Sequence, residues 1–346
     1  MQFIKSDINR DFIGKRKVAY SLSIVMILAS ICSLIIHKGP RYGIEFAGGT
    51  LIQVKFLSPA KTGDIKAGLN AIGLGKSSVQ LFGDKKDNEF LIRTDRSVMT
   101  DQEFSSSIEK ALASATGNDV EIRRIEMVGP QVGKDLREKA LFAIFYALLF
   151  IAIYISGRFE LKWVLSGVMA AALIACVYLL SRFSVSIPVL IAAAFIVTLV
   201  LFWRLDLKYA MAAIVALIHD VTITVGFFSV FDKEFTLPII AALLTIIGYS
   251  LNDTIIIFDR IRENLMKNQK NPLAAVINRS VNETLSRTIL TSGTTLVVVV
   301  ALFILGGGII HDFAFAMIVG IIVGTYSTVY VASPILLGWQ RSGNKK

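Results

Sequence analysis

The sequence predicts a polytopic α-helical membrane protein of about eight transmembrane helices, with one small α+β domain outside the bilayer. Three observations predict it. Apolar residues make up 54% of the 346 residues and charged ones only 18%, below the roughly 25% usual in soluble domains. Eight apolar stretches reach or approach the length of about 20 residues that a helical span requires: 18–36, 136–155, 164–180, 185–203, 209–230, 236–258, 288–309 and 313–339. Only one long polar region, 37–135, interrupts them.

That composition excludes a disordered chain and argues against a soluble enzyme. Cys32 and Cys176 both sit in apolar runs, and His37, His219 and His311 lie far apart. No disulfide framework, metal site or cofactor is therefore expected, and no enzyme motif appears. The first apolar stretch is followed by HKGP and not by a small-residue cleavage site, so it reads as a retained anchor helix.

Residues 37–135 alternate in a way that predicts strand 50–56, helix 62–73, strands 77–82 and 89–94, helix 99–115 and strand 119–128. The order β-α-β-β-α-β is that of a ferredoxin-like domain. The region holds no cysteine, metal-ligand cluster or nucleophile–base pair, so its expected work is contact.

Orientation follows from Lys and Arg near the span ends. Lys5, Arg10, Lys15, Arg16 and Lys17 precede the first span; Arg260, Arg262, Lys267, Lys270, Arg279 and Arg287 lie between the sixth and seventh; Arg341, Lys345 and Lys346 close the chain. The intervening loops on the other side hold Arg182 and Lys233 only. Both termini are expected in the cytoplasm, with Trp163, Trp203 and Trp339 at cytoplasmic span ends. Of the net charge of +10, residues 37–135 supply 14 basic minus 13 acidic side chains, or +1, leaving +9 for the membrane part. This is a positive-inside distribution on a membrane lipid surface, and nucleic acid is not expected as a partner.

An internal echo relates RFELKW (158–163) to RLDLKY (204–209), 46 residues apart. It reads either as two basic and aromatic cytoplasmic turns or as duplication of a two-helix unit. In both cases the topology downstream is unchanged.

Ionisable side chains within spans cost roughly 2.5–3.5 kcal/mol at a helix centre and call for a reason. Asp220, preceded by His219, lies near the middle of the fifth span, Asp253, preceded by Asn252, lies in the sixth, and Arg287 opens the seventh. Thr245, Tyr249, Asn252 and Asp253 share one helical face, and Arg287, Thr291, Thr294 and Thr295 repeat the same spacing. Two such stripes can line a hydrated seam in which Asp253 and Arg287 pair. The structural alternatives are an Arg287 that snorkels to the headgroups, an Asp253 that reaches water through a local defect, an Asp220 hydrogen-bonded to Thr224 or a neighbouring helix, and a His219 that is packed or partner-facing and no proton relay. GIEFAGGT (43–50), with Gly43, Gly48 and Gly49, lacks the following helix and Lys-Ser/Thr pair of a phosphate loop. It reads as close backbone approach at the junction with the membrane, as do Gly129, Pro130 and Gly133. Gly306, Gly307 and Gly308 predict a tight turn, and Gly320 and Gly324 a close helix contact.

These residues carry a resemblance. GIEFAGGT after one anchor helix resembles the GIDF-x-GG signature of the SecD/SecF family of protein-export membrane proteins, and VGPQVGKDLREKA (128–140) resembles that family's entry into its second span. HDVTITVGFFSVF (219–231), LTIIGYSLNDTIIIFDRIREN (244–264) and SVNETLSRTILTSGTT (280–295) are similar to the SecF branch. The likeness covers nearly the whole chain apart from roughly 158–205. It implies an accessory subunit of the Sec translocase in the bacterial inner membrane, built like resistance–nodulation–division transporters and driven by the proton-motive force. It implies SecD, the SecYEG translocon, YajC and the translocating preprotein as partners. It places the aspartate of SLNDT and the arginine of SRT, here Asp253 and Arg287, on the proton path. Asp220 and Asn252 complete the candidate set from the polar spacing. The chain departs from the family pattern in Glu45 and Ala47 within the glycine signature, and in having a pair of helices near 163–203 beyond the family's six. The expected organisation is residues 1–36 as cytoplasmic N-terminus and first span, 37–135 as the extracytoplasmic domain, 136–340 as the bundle with the extra hairpin, and 341–346 as the tail. Competing readings are a passive translocon scaffold and a small-molecule or lipid exporter of the wider superfamily.

Overall fold

The computed structural model describes residues 9–83, 86–94, 102–180, 186–267 and 270–343; the readings that rest on Lys5, Arg182, Lys345, Lys346 and the start of the 99–115 helix lie outside them. In chain order the elements are α1 (Arg16–Ile36), α2 (Ile44–Ala47), β1 (Gly49–Phe56), α3 (Thr62–Ala71), β2 (Ser78–Phe82), β3 (Glu89–Thr94), α4 (Gln102–Thr116), β4 (Val120–Val128), α5 (Pro130–Glu160), α6 (Trp163–Leu180), α7 (Ile187–Arg204), α8 (Lys208–Val230), α9 (Leu237–Lys267), α10 (Leu273–Leu305), α11 (Gly308–Ser327), a π-helical turn (Thr328–Ala332) and α12 (Ser333–Gly343).

Alternation makes the sheet. Ile52, Val54 and Phe56 of β1 and Phe90 and Ile92 of β3 point to one face and are buried, where α3 (Ile65, Leu69) and α4 (Ile108, Leu112) cover them in one cluster. All pairings are antiparallel and the strand order is β2-β3-β1-β4, which is the ferredoxin-like arrangement that the element order predicted.

Among the described residues, seven helical segments are long and apolar enough to cross a membrane, and the apolar helix at Pro188–Arg204 is shorter. The expectation of about eight corresponds to these seven together with α7, which lies where the sequence predicts the fourth span. The last predicted span is a continuous helical segment interrupted by the π-helical turn, where Ser333 Oγ donates to the Thr328 carbonyl at 2.8 Å. The widened turn was not anticipated, because nothing in TVYVA differs in kind from the helix around it.

The hairpin α6–α7 packs against α5 and α8. Its two ends meet: Lys162 Nζ donates to the Leu205 carbonyl at 2.7 Å, Glu160 Oε1 accepts from the Tyr209 amide at 2.8 Å, and the rings of Phe159 and Tyr209 stack at 5.1 Å. The two echoed sequences thus lie side by side.

The sheet is joined to the bundle at the glycine signature. Gly48, at φ +78°, sits so close to Pro130 that a side-chain carbon would lie 2.8 Å from its Cα, and one on Gly133 would lie 3.0 Å from the Gly48 nitrogen. The two glycine-bearing segments of the sequence are one contact. A second attachment runs through the α8–α9 loop. Phe235 N donates to the Arg41 carbonyl at 2.7 Å and Gly43 N to the Phe235 carbonyl at 2.9 Å. Glu234 receives both guanidinium nitrogens of Arg93, from β3, and lies 3.7 Å from Arg41, which also pairs with Asp232 at 2.7 Å.

Candidate functional site

Helices α8, α9, α10 and α11 bring two carboxyl groups into the interior of the apolar bundle. Small residues allow the approach. Gly320 and Gly324 of α11 face Ile246 and Ser250 of α9, with Ser250 Cβ only 3.0 Å from where a side-chain carbon on Gly324 would stand. The predicted glycine pair is thus a helix contact, as small residues are in membrane bundles.

Asp220 is fully buried. Its Oδ2 accepts from Ser250 of α9 at 2.7 Å and Ser327 of α11 at 2.9 Å, while Oδ1 lies 2.9 Å from His219 Nδ1. The suggested Thr224 bond goes instead to the Asp220 main-chain carbonyl, at 2.8 Å. The alternative of a neighbouring helix is the one the structure contains, and it involves two helices. His219 is no mere packing residue. Its Nε2 lies 3.1 Å from Ser23 Oγ of α1.

Asp253, on the next helix, is 3% exposed. Its Oδ2 accepts from Ser292 of α10 at 3.2 Å, and Ser292 Oγ in turn accepts from Thr325 of α11 at 2.9 Å. Its Oδ1 is buried without a hydrogen-bond partner. Tyr249 completes the seam, its hydroxyl 2.8 Å from the Thr291 carbonyl and 3.2 Å from Thr295 Oγ1. The predicted stripes on α9 and α10 do meet there.

Two members stand apart. Arg287 and Asn252 are exposed on the bundle surface, and among the described residues no ion pair joins Arg287 to Asp253. The pairing expected from their common depth is corrected: Asp253 accepts from Ser292 of the same helix as Arg287, and Arg287 itself is exposed. Gly43 and Gly49, with Gly48, hold the junction with the sheet, far in sequence from the carboxyls. Sequence reasoning missed Ser250, Ser292, Ser327, Ser23 and Tyr326. Among the described residues no group of three His, Cys, Asp or Glu side chains is placed to hold a metal ion.

Comparison with known families adds a decisive observation. A model of the C-terminal part of the SecD/SecF protein export membrane proteins matches residues 107–188 and 182–342, and a model of the SecD/SecF GG motif matches residues 33–59. This chain belongs to the SecD/SecF family. It is 40% identical over 337 residues to the protein translocase subunit SecF of Desulfurispirillum indicum, covering 95% of this chain and 91% of that protein. It is 42% identical over 341 residues to SecF of Magnetococcus marinus, covering 97% and 94%. The crystal structure of SecDF, a translocon-associated membrane protein from Thermus thermophilus, superposes with a TM-score of 0.70 at 31% identity, over 98% of this chain. This SecD/SecF chain spans 40% of the length of that SecDF protein. Within the family match, the GG-motif segment contains Gly43, Gly48 and Gly49, and the C-terminal segment contains both buried carboxyls.

Proposed function

We propose that this SecF-type chain is an accessory subunit of the Sec protein translocase that pairs with SecD and uses the proton-motive force to promote export of preproteins. The observation that carries the proton-driven part is Asp253. Its carboxyl is buried among hydroxyls, with one oxygen unpartnered and no cation bonded to it. A permanently charged, half-bonded carboxylate in a bundle core is costly, whereas a group that gains and loses a proton as the seam opens has a use for that geometry. The exposed Arg287, one face away, is the cation that such a cycle brings to it and removes; arginine stays charged throughout. The SecD partnership draws support from the size of the SecDF protein, more than half of which lies beyond the region this chain matches. On the same reading the chain is a multi-pass protein of the bacterial inner membrane with both termini in the cytoplasm, the sheet lies outside, the hairpin α6–α7 is additional to the six family spans, SecYEG and YajC are neighbours, and no reaction is catalysed.

The test is export by the intact complex under an imposed proton gradient. Asp253→Asn keeps the volume and loses the titration, and gradient-dependent stimulation should vanish while the complex still assembles. Unchanged stimulation would replace this reading with that of a passive scaffold.

A further inference from the structure

The contacts of His219 extend beyond Asp220. Ser23 Oγ lies 3.1 Å from His219 Nε2 and 3.1 Å from the Tyr326 hydroxyl, and that hydroxyl donates to the Ala19 carbonyl at 2.6 Å. The imidazole and phenol rings stack at 6.1 Å. We infer that Tyr326, Ser23 and His219 form a proton relay that loads and unloads Asp220 from the crevice between α1 and α8. The inference rests on the proton-driven reading above and adds an access route to it.

Counting donors gives the relay two states. A hydroxyl has one proton to donate, and a neutral imidazole has one nitrogen of each kind. The Ala19 carbonyl can only accept, so the Tyr326 proton is committed to it. Ser23 then donates to the phenol oxygen and offers a lone pair to His219. Nε2 must carry the ring proton, which leaves Nδ1 to share the next one with Asp220. This is the loaded state. If Tyr326 turns its proton from Ala19 to Ser23, every bond reverses: Ser23 donates to a bare Nε2, and Nδ1–H donates to an ionised Asp220. The two states differ by one proton and by the direction of three hydrogen bonds, with no displacement of a helix.

The far end of the hydrogen-bonded series borders a cavity. Ser23 and His219, with Tyr20 and Thr222, line a cavity of about 560 Å³ bounded elsewhere by aliphatic side chains of α1, α7, α8 and the last span. Most of that lining is aliphatic, and the Ser23 hydroxyl and the His219 imidazole are the members of the relay that reach it. Loading then balances simply. A hydronium in the crevice gives its proton to Ser23 Oγ, Ser23 passes its own to Nε2, the Nδ1 proton moves to Asp220 Oδ1, and the Tyr326 hydroxyl turns back from Ser23 to the Ala19 carbonyl, which leaves its oxygen free to accept the new Ser23 proton. The hydronium leaves as water, one O–H bond having formed at the carboxyl. The other ionisable groups on the elements around α8 include Arg16, Lys17 and Tyr20 on α1, Tyr330 beside Tyr326, Tyr249 and Asp253 on α9 with the charged cluster from Asp259 to Lys267 at its end, and Arg158, Glu160 and Arg204 at the ends of α5 and α7. No lysine or arginine competes for Asp220 among the described contacts.

The experiment is proton uptake into vesicles containing the intact complex with its SecD-type partner, followed with a lumenal pH dye after an acid jump. Tyr326→Phe and Ser23→Ala should each slow uptake at least tenfold, Ser23→Thr should restore it, and Asp253→Asn should abolish it. Nitrogen NMR of labelled histidine supplies a signature that packing alone would not move: the His219 proton should sit on Nε2, and Tyr326→Phe should shift it towards Nδ1. Uptake that is lost in Asp253→Asn yet unaffected by Tyr326→Phe and Ser23→Ala overturns the relay and leaves the proton-driven reading standing. Absence of gradient-dependent uptake in the unmodified complex overturns both.

Discussion

Asp253 of α9 accepts a hydrogen bond from Ser292 of α10 at 3.2 Å, while its second carboxyl oxygen is buried without a partner. Ser292 is also the acceptor for Thr325 of α11, so the charge state of one carboxyl is felt by three helices. Arg287→Ala should therefore reduce proton-dependent export more than Arg287→Lys, which keeps a positive charge but not the planar fork. Equal activity of Arg287→Ala and the unmodified protein, measured as export rate under a fixed gradient, would remove Arg287 from the cycle. Moving one charge through 100 mV supplies about 2.3 kcal/mol, the scale within which the cycle must work.

Topology is tested with single cysteines in a chain whose Cys32 and Cys176 have been replaced. Lys66, exposed on α3, and Lys267, exposed at the end of α9, lie on opposite sides of the membrane in the proposed orientation. Lys66→Cys should react with an impermeant thiol reagent added from outside, and Lys267→Cys should not. The opposite pattern would invert the assignment of sides.

Gly226 on α8 packs against α1 so closely that an added side-chain carbon would lie 2.0 Å from Ser30 Oγ. Gly226→Ala should cost about 1–3 kcal/mol by overpacking, read as a lowered unfolding midpoint in detergent. Ser30→Gly in the same chain should recover only part of it, since the Ser30 Cα itself is 2.7 Å from that carbon. An unchanged midpoint in Gly226→Ala would mean that α1 and α8 separate freely.

Excision of residues 161–206, joining Glu160 to Leu207, should leave a chain that still assembles with its partner. The bond from the Tyr209 amide to Glu160 and the stacking of Phe159 on Tyr209 survive the excision and hold those ends together, and α6 and α7 pack on α5 and α8. Loss of the co-purified partner would show that the hairpin belongs to the core of the assembly.

The sheet was readable from the sequence because β1 and β3 alternate cleanly and because turn residues bound each element. The spans were readable from length and apolarity, and the two carboxyls from the cost of placing them there. What could not be read was the partner of each. Serines and threonines are scattered along every span, and a hydroxyl in a membrane helix satisfies itself on its own backbone four residues back, as Thr224, Thr284 and Thr294 do. Only the packing of α11 on α8 and α9 distinguishes Ser327 and Ser250 from these. The same holds for Arg287: helical spacing fixed its face relative to Thr291, but not whether α9 lies under that face.

The loop between α8 and α9 is six residues long, and it holds Asp232, Glu234 and Phe235 against the sheet and the segment that follows the anchor helix. The two helices it joins are the ones that carry Asp220 and Asp253. They act as the two arms of a pair of tongs whose pivot is bonded to the outer domain through Arg93. A change in the tilt between the arms cannot be absorbed in so short a pivot, so it becomes a displacement of the sheet. In the proposed proton-driven cycle, work done at a proton inside the membrane would thereby have a mechanical outlet at the sheet.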